Sequence, residues 1–320
     1  VTWNGLKTLR ITKRENECAG VVSLTLAAED GEPLPPFTPG QYLTFSLDVP
    51  QRDTPVIRCY SLSDAPAETY RVSVKRVKGG LASTHMNVAL EVGETLQARG
   101  PQGHFVLDPG DRGPRVFLAA GIGITPLLSM LNGLARRGGD GLPVTLYLGV
   151  RNGTERPFKE HLLALAREHD WFTLVVAYSQ PLDSDAHGVD FQHRSRVDTE
   201  LLKQTLAPSD DPQSFYICGP APMMDGLVSG LEDAGVPRSR IRLEAFGGAA
   251  VRPFTRRLKK RLAAPGPPSS VTFARSGKTV AWDPNATSLL DLAMANDVFF
   301  PFACAAGHCG TCASPLLAGR

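Results

Sequence analysis

The stretch VFLAAGIGITP, residues 116–126, decides the architecture of the central part of the chain. Five apolar residues in succession are typical of a strand that is buried on both faces. Gly121 and Gly123 follow in a turn, while Thr125 suits a helix cap and Pro126 suits a first helical turn. We therefore expect a strand, a tight turn and a helix whose N-terminus favours an anion such as a pyrophosphate. Taken alone, the segment also fits a plain strand–helix turn, because the third glycine of G-x-G-x-x-G is missing.

From this strand toward the C-terminus, strand-like and helix-like runs alternate as far as residue 246. Apolar runs such as VTLYLGV and SFYICG are followed by amphipathic runs such as PFKEHLLALAREH and APMMDGLVSGLEDAG. This alternation predicts a parallel sheet with helices on both faces. We assign residues 111–250 to one α/β domain on this basis.

Toward the N-terminus, residues 1–110 have a different pattern. Apolar and polar residues alternate in short runs, among them VVSLTL, QYLTFSLDV, YRVSVKRV and GHFVLD. Segments rich in Pro and Gly, such as GEPLPPFTPG, separate the runs. The pattern predicts an antiparallel β-barrel or sandwich.

The composition limits the function. With 320 residues, the chain exceeds what one hydrophobic core usually organises, so we expect two or three domains. Its 34 basic and 32 acidic residues leave a formal charge of +2, which gives no overall basic field for nucleic acid or a membrane surface. No run approaches the roughly 18 apolar residues that span a bilayer, and the first residues lack the apolar core of a signal peptide. We therefore predict a cytoplasmic protein with no nucleic-acid or membrane partner.

The last part of the chain contains a cluster of cysteines. Residues 251–270 are basic and then rich in Pro and Gly, which indicates a linker. Residues 271–320 follow, with Cys304, Cys309 and Cys312 in the spacing C-x4-C-x2-C. This is the plant-type ferredoxin spacing, in which thiolates hold a [2Fe–2S] cluster. Zinc is the competing metal, but zinc sites favour paired C-x2-C knuckles and only one is present.

Residues 58–63, RCYSLS, end one of the strand-like runs of the first domain. Alternation along a strand puts Arg58 and Tyr60 on one face and turns Ser61 to the other. An arginine clamps a phosphate through two hydrogen bonds, and a tyrosine offers a flat face with a hydroxyl group. Alone, the run fits an edge strand with a surface arginine equally well.

A second phosphate-binding arrangement follows in the run VKRVKGGLAST. Its adjacent glycines leave backbone N–H groups free, and hydroxyl donors come just ahead of a short predicted helix. The candidate cofactor-binding residues of this run are Lys75, Gly80, Ser83 and Thr84.

In this order, the motifs resemble those of the ferredoxin–NADP reductase superfamily. The chain is similar to the reductase components of phenylacetyl-CoA epoxidase and vanillate demethylase, which have a C-terminal ferredoxin domain. The resemblance implies a multidomain fold: an antiparallel β-barrel flavin domain, an α/β parallel-sheet nicotinamide domain and a β-grasp ferredoxin-like domain. It also implies a fourth cluster cysteine beyond Cys312. Residues 313–320 hold none, so we expect the ferredoxin-like domain to be incomplete at its C-terminus.

The resemblance also implies roles for particular residues. Cys218 would lie beside the nicotinamide ring, Ser61 would lie near the edge of the isoalloxazine, and Phe246 would lie close to the flavin. We expect catalytic roles for these three residues, with Cys218 acting by packing rather than as a nucleophile. The expected nicotinamide-site residues are Gly121, Gly123, Thr125, Pro126, Gly219, Pro220 and Met223.

The cofactors follow from the same resemblance. The form GGxxS(T) is closer to members that carry FAD than to those that carry FMN, so we expect FAD, with FMN as the alternative. Arg151, after the run VTLYLGV, suits either a 2′-phosphate or a solvated loop. We favour the solvated loop, and therefore NADH over NADPH.

The expected activity is transfer of electrons from NADH through flavin and a [2Fe–2S] cluster to a terminal oxygenase or another one-electron acceptor protein. The flavin would split the two electrons of a hydride into single steps. Two other functions stay open: a free-standing flavin reductase with an inactive ferredoxin domain, and a redox sensor that uses the cluster as a switch.

Overall fold

The computed structural model describes residue 3 and residues 5–246, 270–282, 289–296, 298 and 314–318. The chain divides into two compact units, residues 1–246 and residues 247–320. The first unit holds two hydrophobic cores, one inside an antiparallel barrel and one around a parallel sheet.

The barrel consists of six antiparallel strands in the order β4-β3-β6-β1-β2-β5. Their buried positions form one core, as the alternating pattern of the sequence predicts. A bridge between Leu62 and Val72 joins the end of β4 to β5 and closes the barrel. The strands are β1 Lys7–Cys18, β2 Val21–Ala28, β3 Tyr42–Leu47, β4 Val56–Ser61, β5 Tyr70–Lys75 and β6 Thr95–Gln102.

The expectation that residues 103–108, GHFVLD, form a strand is wrong. Phe105 is buried in the core of the parallel sheet rather than in that of the barrel, with its ring 6.1 Å from the ring of Tyr216. The backbone N–H of Asp108 donates to the Tyr216 hydroxyl group at 2.8 Å. The apolar side chains of this run therefore anchor the connection between the two parts of the unit, and the last barrel strand is β6.

The parallel sheet has five strands in the order β11-β10-β7-β8-β9. The predicted alternation of strands and helices is confirmed along its whole length. The strands are β7 Arg115–Ala120, β8 Val144–Val150, β9 Phe172–Tyr178, β10 Ser214–Gly219 and β11 Ile241–Ala245. The helices are α2 Ile124–Ala135, α3 Lys159–Glu168, α4 Thr199–Thr205 and α5 Ala221–Asp233, and the short helix α1, Leu81–Thr84, belongs to the barrel.

Helix α2 lies between the barrel and the sheet, and every residue from Ile124 to Leu134 is buried. The Ser129 hydroxyl group donates to the backbone carbonyl of Asp64 in the barrel at 2.7 Å. The Asn132 side-chain amide donates to the Asp64 carboxylate at 2.8 Å. We refer to these three residues, together with Gly40, as the α2 seam; the backbone N–H of Gly40 lies 3.4 Å from the Ser129 hydroxyl oxygen.

The second unit is described in part. Strands β12 Ser270–Phe273 and β13 Lys278–Ala281 pair antiparallel, and helix α6 Leu289–Ala295 follows. Cys304, Cys309, Cys312 and most of the predicted linker lie outside the described residues. Among the described helices, none combines the length and the apolar character needed to cross a membrane.

Candidate functional site

The sheet has a switch point between β7 and β10. These strands are neighbours, but the chain continues from β7 to β8 on one side and from β10 to β11 on the other. In open α/β sheets, a crevice forms at the carboxyl ends of the strands where the order reverses, and ligands bind there. Gly121 directly follows β7, and Gly219 is the last residue of β10. The glycine motifs of the sequence therefore meet at one edge of the sheet.

The glycine turn after β7 is compact. Gly121 has φ +53°, in the left-handed region, and residues Gly121–Gly123 form a single 3₁₀ turn. A Cβ on Gly123 would lie 2.2 Å from the carbonyl oxygen of Cys218, so only glycine allows this contact with β10. A Cβ on Gly121 would meet only the Lys75 ammonium, 4.0 Å away. An open turn with a nearby cation fits an anionic group such as a pyrophosphate.

The expected helix cap at Thr125 is wrong. Gly123 occupies the cap position without a side-chain bond, and Thr125 lies inside the first turn of α2. Its hydroxyl group instead donates to the carbonyl of Ile122 at 3.0 Å, and the residue is buried. Pro126 lies in the first helical turn as expected. The Thr125 hydroxyl group therefore bonds within the turn and does not cap the helix.

Cys218 lies at the centre of the site and is fully buried. It pairs in register with Ala119 of β7 and Glu244 of β11. Burial, and next the nearby Glu244, raise the pKa of the Cys218 thiol well above its ordinary value. A protonated thiol is a weak nucleophile, so the surroundings support the expectation that Cys218 acts by packing.

Ser61 and Glu244 meet across the boundary between barrel and sheet. The Ser61 hydroxyl group, nearly buried, donates to a Glu244 carboxyl oxygen at 3.4 Å. Burial raises the pKa of the Glu244 carboxyl to about 8, although the bond from Ser61 opposes the rise. Glu244 is therefore mostly protonated at neutral pH and carries a proton that it can donate. The two residues lie 183 positions apart in sequence, and Cys218 lies beside Glu244 in the sheet.

On β4, Arg58 and Tyr60 occupy alternate positions, as predicted. Arg58 is exposed, and its guanidinium donates to the carbonyl of Ile57 at 2.7 Å. Tyr60 packs against the barrel core with its ring 5.9 Å from that of Phe45, and burial raises the pKa of its hydroxyl group to about 12. A solvent-facing arginine beside an aromatic ring fits the phosphate and ring parts of a flavin nucleotide.

The side chain of Ser83 holds the second predicted phosphate loop in shape. The Ser83 hydroxyl group accepts from the backbone N–H of Val77 at 3.1 Å and lies 3.3 Å from the carbonyl of Gly80. Ser83 is buried, whereas Thr84 is exposed at the end of α1. Ser83 therefore shapes the loop, and the hydroxyl group that faces solvent belongs to Thr84.

Sequence reasoning missed Glu155. Its carboxylate accepts from Lys75 of the barrel at 3.2 Å and from Arg151, which follows β8, also at 3.2 Å. Nothing in the local sequence distinguishes this glutamate from a surface residue, because its barrel partner is 80 positions away. Ala19 of the barrel donates its backbone N–H to the carbonyl of Thr154 at 2.9 Å, directly beside Glu155. We refer to Lys75, Arg151 and Glu155 as the charged edge.

The remaining predicted residues lie around the same edge. Pro220 is exposed just before α5, and the sulfur of Met223 would lie 2.9 Å from a Cβ on Gly219. Phe246, the last described residue of the first unit, is 37% exposed directly after β11. A ring this exposed is available to cover a planar ligand.

Three family models match the chain in sequence order. The oxidoreductase FAD-binding domain matches residues 8–107 and the oxidoreductase NAD-binding domain matches residues 117–229. The 2Fe-2S iron-sulfur cluster binding domain matches residues 271–320. The FAD/NAD-binding domain of nitric oxide dioxygenase from Vibrio cholerae has a solved structure that is 30% identical, with a TM-score of 0.67 over 75% of this chain and 98% of that chain. The chain belongs to the ferredoxin–NADP reductase superfamily. Its domain models combine oxidoreductase FAD-binding and NAD-binding domains with a C-terminal 2Fe-2S iron-sulfur cluster binding domain.

Two other relatives match different shares of the chain. The phthalate dioxygenase reductase, described as a modular structure for electron transfer from pyridine nucleotides to [2Fe–2S], is 25% identical. Its TM-score is 0.66, and the match covers 97% of this chain and 86% of that protein. The flavohemoprotein of Bordetella pertussis is 35% identical over 255 residues, which is 78% of this chain. The chain spans 62% of the length of that flavohemoprotein.

Proposed function

We propose that the protein takes hydride from NADH and passes single electrons through FAD and a [2Fe–2S] cluster to a terminal oxygenase. The observation that carries this proposal is the meeting of Ser61, Cys218 and Glu244 where the barrel joins the switch point of the sheet. Bound there, a nicotinamide and a flavin supply hydride transfer, and the flavin with the cluster converts a two-electron donor into one-electron steps.

On the flavin side, the barrel supplies the binding groups. Arg58 neutralises the phosphates through its exposed guanidinium, and Tyr60 packs against the ring system. In the loop with Gly80, Ser83 and Thr84, the exposed Thr84 hydroxyl group would bind a phosphate and Ser83 would hold the loop in shape. We propose FAD rather than FMN because the GGxxS(T) form of this loop is closer to members of the superfamily that carry FAD.

On the nicotinamide side, the sheet edge binds and orients the donor. The N-terminus of α2 and the Lys75 ammonium attract the pyrophosphate. Cys218 fills the space beside the ring without charge, and Phe246 shields the flavin side from water. The residues proposed to hold the dinucleotide are Gly121, Gly123, Thr125, Pro126, Gly219, Pro220 and Met223, with Lys75 at the charged edge.

Ser61 and Glu244 would place an uncharged, hydrogen-bonded pair where the barrel meets the sheet. With its pKa raised to about 8, the Glu244 carboxyl is mostly neutral at pH 7. It therefore places no full negative charge beside the reacting groups. Ser61 donates to Glu244 and fixes its orientation. The pair therefore offers a hydrogen-bond donor at the site where negative charge develops.

The donor is proposed to be NADH. Arg151 is the side chain in this region that would suit a 2′-phosphate, and Glu155 already accepts a hydrogen bond from it at 3.2 Å. An arginine that is paired with a carboxylate has less attraction left for a second anion.

For the remaining parts of the chain, we propose Cys304, Cys309 and Cys312 as cluster ligands. We propose domain limits of 1–110, 111–250 and 271–320, with residues 251–270 as the linker. A terminal oxygenase is proposed as partner because the phthalate dioxygenase reductase is similar over nearly the whole chain.

The test compares two acceptors, ferricyanide and cytochrome c, in the wild type and in Cys309→Ser. We expect Cys309→Ser to keep ferricyanide reduction and to lose cytochrome c reduction, because only the second acceptor needs the cluster. Cys18→Ser, a cysteine in the barrel, serves as the control and should keep both activities. A plain flavin reductase would keep both in Cys309→Ser, and a sensor would show neither in the wild type.

The visible spectrum provides the second readout. Flavin bands together with a cluster shoulder, bleached faster by NADH than by NADPH, support the proposal. A colourless preparation, or a yellow one without iron when the fourth cluster cysteine is present, contradicts it. Release of the bound flavin by acid and its chromatography against FAD and FMN standards decides between the two nucleotides.

A further inference from the structure

The charged edge brings a barrel cation and a sheet cation to one carboxylate. Lys75 ends β5 of the barrel, and Arg151 directly follows β8 of the sheet. Each lies 3.2 Å from a different oxygen of Glu155. The Lys75 ammonium also lies 4.0 Å from the position that a Cβ on Gly121 would take. Lys75 and Arg151 therefore lie at the edge of the proposed dinucleotide site. The Glu155 carboxylate forms an ion pair with each of them.

Glu155 is held where it stands. The residue before it, Thr154, accepts a backbone hydrogen bond from Ala19 of the barrel at 2.9 Å. The residue after it, Arg156, is buried and donates to the carbonyl of Asp190 at 2.7 Å. The backbone on both sides of Glu155 is therefore held, and 22% of the Glu155 side chain is exposed.

The position of this carboxylate matters for phosphate recognition. A 2′-phosphate carries a charge of about −1.5 to −2 at pH 7, whereas the 2′-hydroxyl group of NADH carries none. Arg151 is 66% exposed, so it is accessible to such a phosphate. Glu155 would repel that phosphate and compete with it for the arginine.

We propose that Glu155 is a specificity-determining residue that disfavours a 2′-phosphorylated dinucleotide. Glu155 does so by forming an ion pair with Arg151. Through its ion pair with Lys75, it also lowers the attraction of that lysine for the pyrophosphate of either donor. The inference rests on the proposed function, since it assumes that a nicotinamide dinucleotide binds at this edge. Its chemistry requires only the balance of charge among three side chains.

The test is equilibrium binding by isothermal titration calorimetry of NAD⁺ and NADP⁺ to the flavin-loaded full chain, which involves no turnover. We expect Glu155→Gln to tighten NADP⁺ binding about fivefold more than NAD⁺ binding, the size of one exposed ion pair. Glu160→Gln removes the same charge from an exposed position in the first turn of α3 and should leave the ratio of the two dissociation constants unchanged. The gain in Glu155→Gln should shrink as salt is raised.

Two further variants identify the responsible cation. Arg151→Ala alone should change NADP⁺ affinity by less than about twofold, because Glu155 already engages that arginine. In the double variant Glu155→Gln/Arg151→Ala, the extra gain for NADP⁺ should disappear. Arg151→Ala also keeps the proposal testable if Glu155→Gln fails to fold.

The outcomes separate the two proposals. Wild-type protein that binds neither dinucleotide contradicts the proposed function, and the selectivity proposal fails with it. Binding of both dinucleotides with a ratio that Glu155→Gln does not change overturns the selectivity proposal alone. A loss of NADP⁺ affinity well beyond twofold in Arg151→Ala also overturns it, because Arg151 would then already serve the 2′-phosphate.

Discussion

The α2 seam and the charged edge both join the barrel to the sheet, but they differ in polarity and exposure. At the α2 seam, the buried side chains of Ser129 and Asn132 bond to Asp64, whose own side chain is 35% exposed. At the charged edge, Lys75 and Arg151 share Glu155 at the mouth of the site, in partial contact with water. Buried hydrogen bonds are costly to break, whereas exposed ion pairs contribute little stability. We infer that the seam holds the domains together and that the edge discriminates among ligands.

The largest expected effect is at Gly40 in the α2 seam. Gly40 has φ +101°, and a Cβ there would lie 2.0 Å from the carbonyl oxygen of Phe105. Gly40→Ala should lower the free energy of unfolding by about 3 kcal/mol, measured by urea denaturation of the full chain. Gly31→Ala is the matched control, with φ +76° and open space around it, and should cost about 1 kcal/mol. Equal effects of the two changes would show that the close contact at the seam is unimportant.

The next effect is expected at Asn132. Its buried side chain donates to Asp64 at 2.8 Å and lies 2.7 Å from the His161 ring nitrogen, so truncation removes both hydrogen bonds. Asn132→Ala should cost about 2 kcal/mol in the same measurement. The exposed Asn16→Ala should change stability by less than about 0.5 kcal/mol. If Asn132→Ala is as mild as its control, the seam does not hold the domains.

Glu244, which also links the sheet to the barrel through Ser61, gives a pH dependence. Its folded pKa of about 8 exceeds the ordinary value of 4.5, so the folded protein binds more protons than the unfolded chain between these values. The stability that this group contributes is fully present below pH 4.5 and is lost as pH rises through about 8. Glu244→Gln should therefore lose less stability than the wild type between pH 6 and pH 9. Parallel curves for the two proteins would contradict the raised pKa.

The smallest effect is expected at the charged edge. Glu155→Gln breaks two ion pairs that water already screens, so it should lower the free energy of unfolding by less than about 1 kcal/mol. Raising the salt concentration should narrow the difference from the wild type further. A loss as large as that of Asn132→Ala would mean that both regions hold the domains, and the contrast between them would fail.

The sequence predicted the sheet strand by strand, because buried parallel strands and amphipathic helices have distinct periods. It was wrong for residues 103–108, whose alternation is that of a strand although Phe105 packs into the neighbouring domain. It was also wrong for the cap at Thr125. Both errors come from tertiary packing, which local pattern does not contain.

For the candidate site, the motifs identified the groups that directly follow strands, such as Gly121 and Cys218. They did not identify Glu155, Asn132 or Asp64. These residues act through partners far away in the chain, such as Lys75, 80 positions before Glu155. Their residue types are common on any protein surface, so only the folded contacts distinguish them.

The burial of α2 from Ile124 to Leu134 has a consequence for folding during synthesis. The barrel strands leave the ribosome first, but the loop at Pro39 and Gly40 packs against Gly133 and Met130, which are synthesised about ninety residues later. Until α2 has been synthesised, the barrel surface at Pro39 and Gly40 is exposed. A chaperone that recognises exposed apolar surface can bind there during this interval. Nascent chains stalled before and after residue 135 can be released and treated with protease. The barrel should be much more resistant in the longer chains, because only these contain all of α2.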